Sequence, residues 1–137
     1  MSAEYQLLDA NVLIRFLTND HPQQSPKSKQ LFARASAGEV FLWLSDICIA
    51  EVVWTLTSFY RADRKQIAEW LKTIVQNPGI ELEDEDMMLV ALENYSRMNV
   101  DFIDAYHAAV ATARKWPVAS FDRDFDKFKN ISRKEPS

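Results

Sequence analysis

Tyr5-Gln6-Leu7-Leu8-Asp9, continued at once by Ala10-Asn11-Val12-Leu13-Ile14-Arg15-Phe16-Leu17, is the stretch on which the reading of this chain turns. An apolar run that reads as a short buried strand over residues 5–9 ends on a carboxylate, and beyond it Val12, Leu13, Phe16 and Leu17 recur at helical spacing. A strand feeding directly into a helix is the repeating unit of α/β folds. The acid stands where such sheets gather their functional groups, just beyond the carboxyl end of a strand.

The same alternation continues along the chain. Asn19-Asp20-His21-Pro22 ends the first helix, and a second is expected over residues 25–37, closed by Gly38 before a strand at 40–44. Ser45 suits a helix N-cap. The helix after it, from Asp46 to about Tyr60, is apolar on most faces and is therefore expected to be mostly buried, with Trp43, Trp54, Phe59 and Tyr60 largely in the core. Asp63 opens a helix that Asn77-Pro78-Gly79 breaks. A short strand at 80–82 precedes a helix carrying Met88, Ala91, Tyr95 and Met98, and Asp101 is expected to cap a helix over 102–115. Residues 117–121 read as a strand, and Ile131 belongs to one more. The expected fold class is α/β, a single domain over residues 1–132 with a mainly parallel central sheet flanked by helices, and with residues 133–137 fraying.

The 137 residues suffice for one domain with a proper core and are too few for two ordinary ones. No apolar run approaches the roughly 20 residues that span a bilayer, and the N-terminus has no signal-peptide pattern, so no membrane association is expected. Cys48 is the only cysteine. It excludes an internal disulfide and a cysteine-based zinc site, and it fits a cytoplasmic location. The net charge of -4 is a weak argument against a nucleic-acid partner, because a phosphodiester-cleaving pocket must itself be acidic to hold metal. Residues 81–104 carry eight acids and a single base, Arg97, which reads as a solvated helix start.

Asp9 is one of four carboxylates placed at the end of an apolar stretch or inside one; the others are Glu51, Asp104 and Asp122. Ordinary patterning would leave each partly desolvated, and a buried unpaired carboxylate takes up a proton or finds a cation. If the fold gathers them, their repulsion calls for a divalent ion, and all-oxygen ligation suits hard Mg²⁺ or Mn²⁺. Taken singly, Asp9 and Asp122 are better explained as helix caps, and Asp104 as a first-turn acid.

The run Leu7-Leu8-Asp9-Ala10-Asn11-Val12-Leu13, the helix-borne Glu51, Asp101-Phe102-Ile103-Asp104-Ala105 and Ser120-Phe121-Asp122-Arg123-Asp124-Phe125, in that order, resemble the PIN domain, especially its VapC-type toxin ribonucleases. The resemblance implies an endoribonuclease dependent on Mg²⁺ or Mn²⁺, the toxin of a type II toxin-antitoxin pair. Its metal-binding and catalytic acids would be Asp9, Glu51, Asp104 and Asp122, with Asn11 and Ser120 in support. It also implies an RNA substrate, a small antitoxin partner and a homodimer. Ser120 stands where many members have threonine, which keeps the hydroxyl.

Arg15, Arg123 and Lys127 flank the acids and are candidates for holding RNA phosphates, as is Lys129. Asp124 and Asp126 read as turn-solvating acids, with a minor metal role open to Asp124. His21 and His107 are too isolated to argue acid-base catalysis. Two other functions compete: a non-catalytic PIN-like scaffold that binds RNA or protein, and a metal-dependent phosphatase. The second is disfavoured because Asn11, not another aspartate, stands two positions after Asp9.

Overall fold

Strand β2 (Val40–Trp43) lies in the middle of a three-stranded parallel sheet, between β1 (Glu4–Leu7) and β3 (Ile80–Glu81). In this computed structural model, which describes residues 4–137, Glu4 faces Val40, Leu7 faces Trp43, and Leu42 faces Ile80. Val40, Leu42 and the following Leu44 are fully buried while Trp43 points outward, the two-residue alternation of a pleated strand. Parallel neighbours require crossovers. Helices α1 (Ala10–Thr18) and α2 (Gln24–Ser36) make the first, and α3 (Asp46–Ser58) and α4 (Arg64–Val75) the second.

The chain divides into two compact units, Met1–Glu85 and Asp86–Ser137. The core of the first contains Leu13, Ile49, Val52, Leu56, Ile67 and Leu71, each fully buried. Close approach within it depends on Gly79: a Cβ there would come within 2.2 Å of the Ala35 carbonyl oxygen of α2. Asn19 closes α1 at φ +51°, a left-handed conformation that asparagine tolerates.

Two burial expectations fail in this unit. The first strand is not buried: β1 pairs only with β2 among the described residues, and Tyr5 and Leu7 are largely exposed. Helix α3 buries Cys48, Ile49, Val52, Val53 and Leu56 but leaves Ile47 74% and Trp54 70% exposed, and Phe59 just beyond it 77% exposed. A helix that is apolar all round does not announce which face the core will take.

The second unit carries α5 (Glu85–Arg97), α6 (Phe102–Arg114), β4 (Val118–Ala119), a 3-10 helix at Arg123–Lys127 and β5 (Arg133–Lys134). Ala105, Ala108, Ala109 and Ala111 of α6 are buried, as small side chains permit. Tyr95 meets Phe102 edge-on at 5.9 Å between ring centres. The strand expected over 117–121 is reduced to β4, which pairs in parallel with β5 in a sheet of its own.

The strand expected at Ile131 begins two residues later, and Arg133 and Lys134, assigned from the sequence to a fraying tail, form β5. The Val118 and Ser120 N–H groups donate to the Ser132 and Lys134 carbonyls, and ionic contacts accompany this ladder. Arg133 grips Asp126 through Nε (3.0 Å) and Nη2 (3.2 Å), and its Nη1 donates to Glu135 and to the Ser120 carbonyl.

Candidate active site

At the carboxyl ends of β1 and β2 the chain turns twice into a capped helix. Asp9 is the N-cap of α1, and its Oδ2 accepts from the Asn11 backbone N–H at 3.2 Å. Ser45 caps α3 by accepting from the Cys48 N–H at 3.1 Å. A depression of about 200 Å³ opens there, lined by Leu7, Asp9, Ser45, Ile47, Cys48 and Glu51 among others. The Cys48 thiol registers both acids: burial first, then the charges of Glu51 and Asp9, push it up to about 12.

Asp9 and Glu51 are themselves exposed, contrary to the expectation of desolvated charge. Strand and helix ends leave their side chains at the rim rather than in the core. The bond to Asp9 comes from the main chain of Asn11, so any N–H at that position could make it.

In the second unit Asp104 lies in the first turn of α6, and Asp122 is the N-cap of the 3-10 helix, its Oδ1 accepting from the Asp124 N–H at 2.9 Å. Ser120 Oγ accepts from the Asp122 N–H at 2.9 Å, which fixes the backbone that carries Asp122. Carboxylate oxygens of Asp104, Asp122 and Asp124 lie within 4.8 Å of one another. Burial, then the charges of Asp122, Asp101 and Asp124, holds the Asp104 carboxyl above its ordinary range, with His107 pulling the other way.

Three hard oxygen donors at that spacing suit a divalent cation, which would relieve the repulsion that adds to burial in raising Asp104. Asp124 belongs to this cluster, although its sequence context suggested turn solvation. The signal was the two-residue spacing from Asp122, the spacing at which a capping carboxylate accepts the second residue's N–H, as Asp122 does from Asp124. Asp101 occupies the N-cap position of α6 but makes no side-chain capping bond, so its predicted cap is not formed.

The structure therefore forms two carboxylate groups, Asp9 with Glu51 in the first unit and Asp104 with Asp122 and Asp124 in the second. A model of the PIN domain matches residues 7–131, which takes in all five. The chain belongs to the PIN domain family. Among curated proteins it is similar to a VapC ribonuclease of Aquifex aeolicus (strain VF5), at 28% identity over 135 residues, covering 96% of this chain and 99% of that protein. The α/β architecture with parallel strands is that of a PIN domain. No helix among the described residues is long and apolar enough to cross a membrane.

Cations around the acids of this PIN domain are largely committed. Arg15 donates to Asp20, Tyr60 and Gln24. Lys127 Nζ lies 3.2 Å from Asp124 and donates to the Asn99 carbonyl. Arg123 is exposed on the 3-10 helix. His21 serves the fold, because its Nδ1 accepts from the N–H groups of Gln23 and Gln24 at the start of α2. His107 is exposed one turn beyond Asp104.

Proposed function

We propose that this PIN domain is an Mg²⁺- or Mn²⁺-dependent endoribonuclease and the toxin of a toxin-antitoxin pair. The observation that carries the reading is the cluster of Asp104, Asp122 and Asp124, whose oxygens approach within 4.8 Å while Asp104 is held above its usual carboxylate range. Such crowding has an ordinary remedy in a bound dication. The similarity to a VapC ribonuclease supplies the substrate class.

In this reading Asp9, Glu51, Asp104 and Asp122 are all required for one cleavage reaction, with Asp124 as a further ligand. When bound, the divalent ion neutralises a substrate phosphate oxygen and acidifies a water. The protein's part is to orient. The Asn11 N–H holds Asp9, Ser120 holds the Asp122 backbone, and Lys127 limits the freedom of Asp124. Arg123, next to Asp122 in the chain, is the cation offered to an RNA phosphate.

The toxin reading adds a small antitoxin whose Arg or Lys enters the acidic depression while a helix covers the apolar surface beside it. Leu7 and Ile47 line that depression and are each about three-quarters exposed, and Trp54 continues the same face of α3 two turns on. A homodimer and a cytoplasmic location complete the proposal.

Total RNA incubated with Mn²⁺, with Mg²⁺ and with chelator tests the chemistry. Asp9→Asn and Asp122→Asn should each lower cleavage by at least about 100-fold, since loss of a mere outer partner of a metal site costs 10- to 100-fold. Both variants should fold, because asparagine caps helices as well as aspartate does. Wild-type cleavage by either variant would remove that residue from the mechanism. Expression of the wild-type chain alone should slow growth, Asp9→Asn should not, and the small protein encoded beside it should restore growth through a stable complex. A harmless wild-type chain that captures no such protein would refute the toxin reading.

A further inference from the structure

We propose that the cleft between α1 and α2 seats one nucleotide of single-stranded RNA, with its phosphate at Lys27; this rests on the ribonuclease reading above. The cleft has a volume of about 370 Å³ and is lined by Asn11, Val12, Arg15, Gln24, Lys27 and Leu31, together with Ser28. That volume lies in the range of small-ligand sites.

Charge identifies the occupant as an anion. Helix α2 carries Lys27, Lys29 and Arg34 and no acid, in a chain whose net charge is -4. Arg34 is committed to Glu4 and Glu39. Arg15 is balanced by Asp20, which Tyr60, Thr18 and Arg15 itself keep ionised down to about pH 2. Lys27, exposed in the cleft wall and without an ion-pair partner among the described residues, is the net positive charge of the site.

The polar groups around it are held in place. Arg15 Nε donates to Gln24 Oε1 at 3.2 Å, and its Nη1 is tied to Asp20 and Tyr60. The Gln24 amide is thereby oriented, leaving its NH₂ to donate. Half-buried Val12 and Leu31 supply an apolar wall against which a base can lie.

Continuity places the cleft on the path of the substrate. Asn11, at one end of it, is the residue whose N–H holds Asp9, and Arg15 lies about 6 Å further along the helix by its rise per residue. A protein partner fits less well. The strongly exposed large hydrophobic side chains of this unit, Tyr5, Leu7, Ile47, Trp54 and Phe59, all lie outside the cleft lining.

The test is fluorescence anisotropy of a labelled single-stranded RNA on the Asp9→Asn background, so that the RNA stays whole. Adding Lys27→Glu should raise Kd about 10-fold at low salt and reduce the slope of log K against log salt by about one. Leu31→Trp, which fills the cleft and keeps Lys27, should weaken binding as well; with Asp9 restored, it should shift which base flanks the cut. Circular dichroism and Tm confirm that each variant is folded. Unchanged Kd in both variants overturns the proposal even if the wild-type chain cleaves RNA normally. Intact RNA affinity with lost capture of a protein partner would assign the cleft to that partner and overturn it equally. An unreactive wild-type chain whose RNA binding still depends on Lys27 would refute the nuclease reading and keep the site.

Discussion

Replacing Asp104 with asparagine should make the metal-free protein more stable and its response to metal smaller. The Asp104 oxygen lies within 4.8 Å of oxygens of Asp122 and Asp124. At that separation like charges repel by about 0.9 kcal/mol in bulk water and about 3.5 kcal/mol at an effective dielectric of 20. Lys127 offsets the charge of Asp124, so one uncompensated pair, about 1–3 kcal/mol, is the fair count. Against it stands the loss of a first-turn acid on α6, about 0.3–1 kcal/mol.

The net gain of about 1–2 kcal/mol corresponds to a Tm rise of roughly 4–8 °C for a chain of this size. With Mn²⁺ at 100 times its Kd the wild type gains about 2.7 kcal/mol. A variant whose Kd is 10 to 100 times weaker gains only about 0.4–1.4 kcal/mol at the same concentration.

The pH dependence has a definite sign. The carboxyl of Asp104 is raised in the folded state, so its destabilising effect is fully present above the folded pKa, shrinks as pH falls, and vanishes below the unfolded value of about 3.9. The advantage of the variant should follow that course. Differential scanning calorimetry in chelator, then in Mn²⁺, from neutral pH to about pH 4 reads all three effects. An apo Tm at or below wild type, or an undiminished Mn²⁺ shift, would refute the crowded-carboxylate argument.

Glu51→Gln and Asp104→Asn should each reduce RNA cleavage strongly, and the double variant should lose far less than the product of the two; multiplicative losses in single-turnover assays would give the two acids separate roles. Asp20 is held down to about 2, chiefly by the Tyr60 hydroxyl, so its stabilising effect is present above the unfolded value and disappears as pH falls through about 2. Asp20→Asn should accordingly destabilise at neutral pH and converge on wild type in acid, and a gap that stays constant with pH in chemical denaturation would contradict the network. Gly79→Ala drives a Cβ against the Ala35 carbonyl and should cost about 3 kcal/mol in urea unfolding, whereas a change under about 0.5 kcal/mol would show that α2 can move aside.

Local pattern was enough to locate six helices, the three strands of the first sheet and the caps at Asp9 and Ser45, because periodicity and capping depend on neighbours a few residues apart. Asp9, Glu51, Asp104 and Asp122 stand out in the sequence for a local reason too, as charges at the ends of apolar runs or inside them, and it is on that ground that they are proposed as the acids of the site. Burial was not legible. Tyr5 and Leu7 read as core and lie on an open edge, and the aromatic face of α3 reads as buried although Trp54 and Phe59 are exposed.

Three features came only from tertiary structure. Asp124 joined Asp104 and Asp122 because a 3-10 turn brings its carboxylate round to a helix twenty residues earlier in the chain. Arg133 and Lys134 form a strand through backbone bonds to β4, with Asp126 and Glu135 on the guanidinium, and not through any strand pattern in the pair. The free charge of Lys27 emerged only when Arg15 and Arg34 were seen to be taken by other acids. Each depends on which distant groups meet across space, and a sequence pattern of period two or 3.6 carries no record of that.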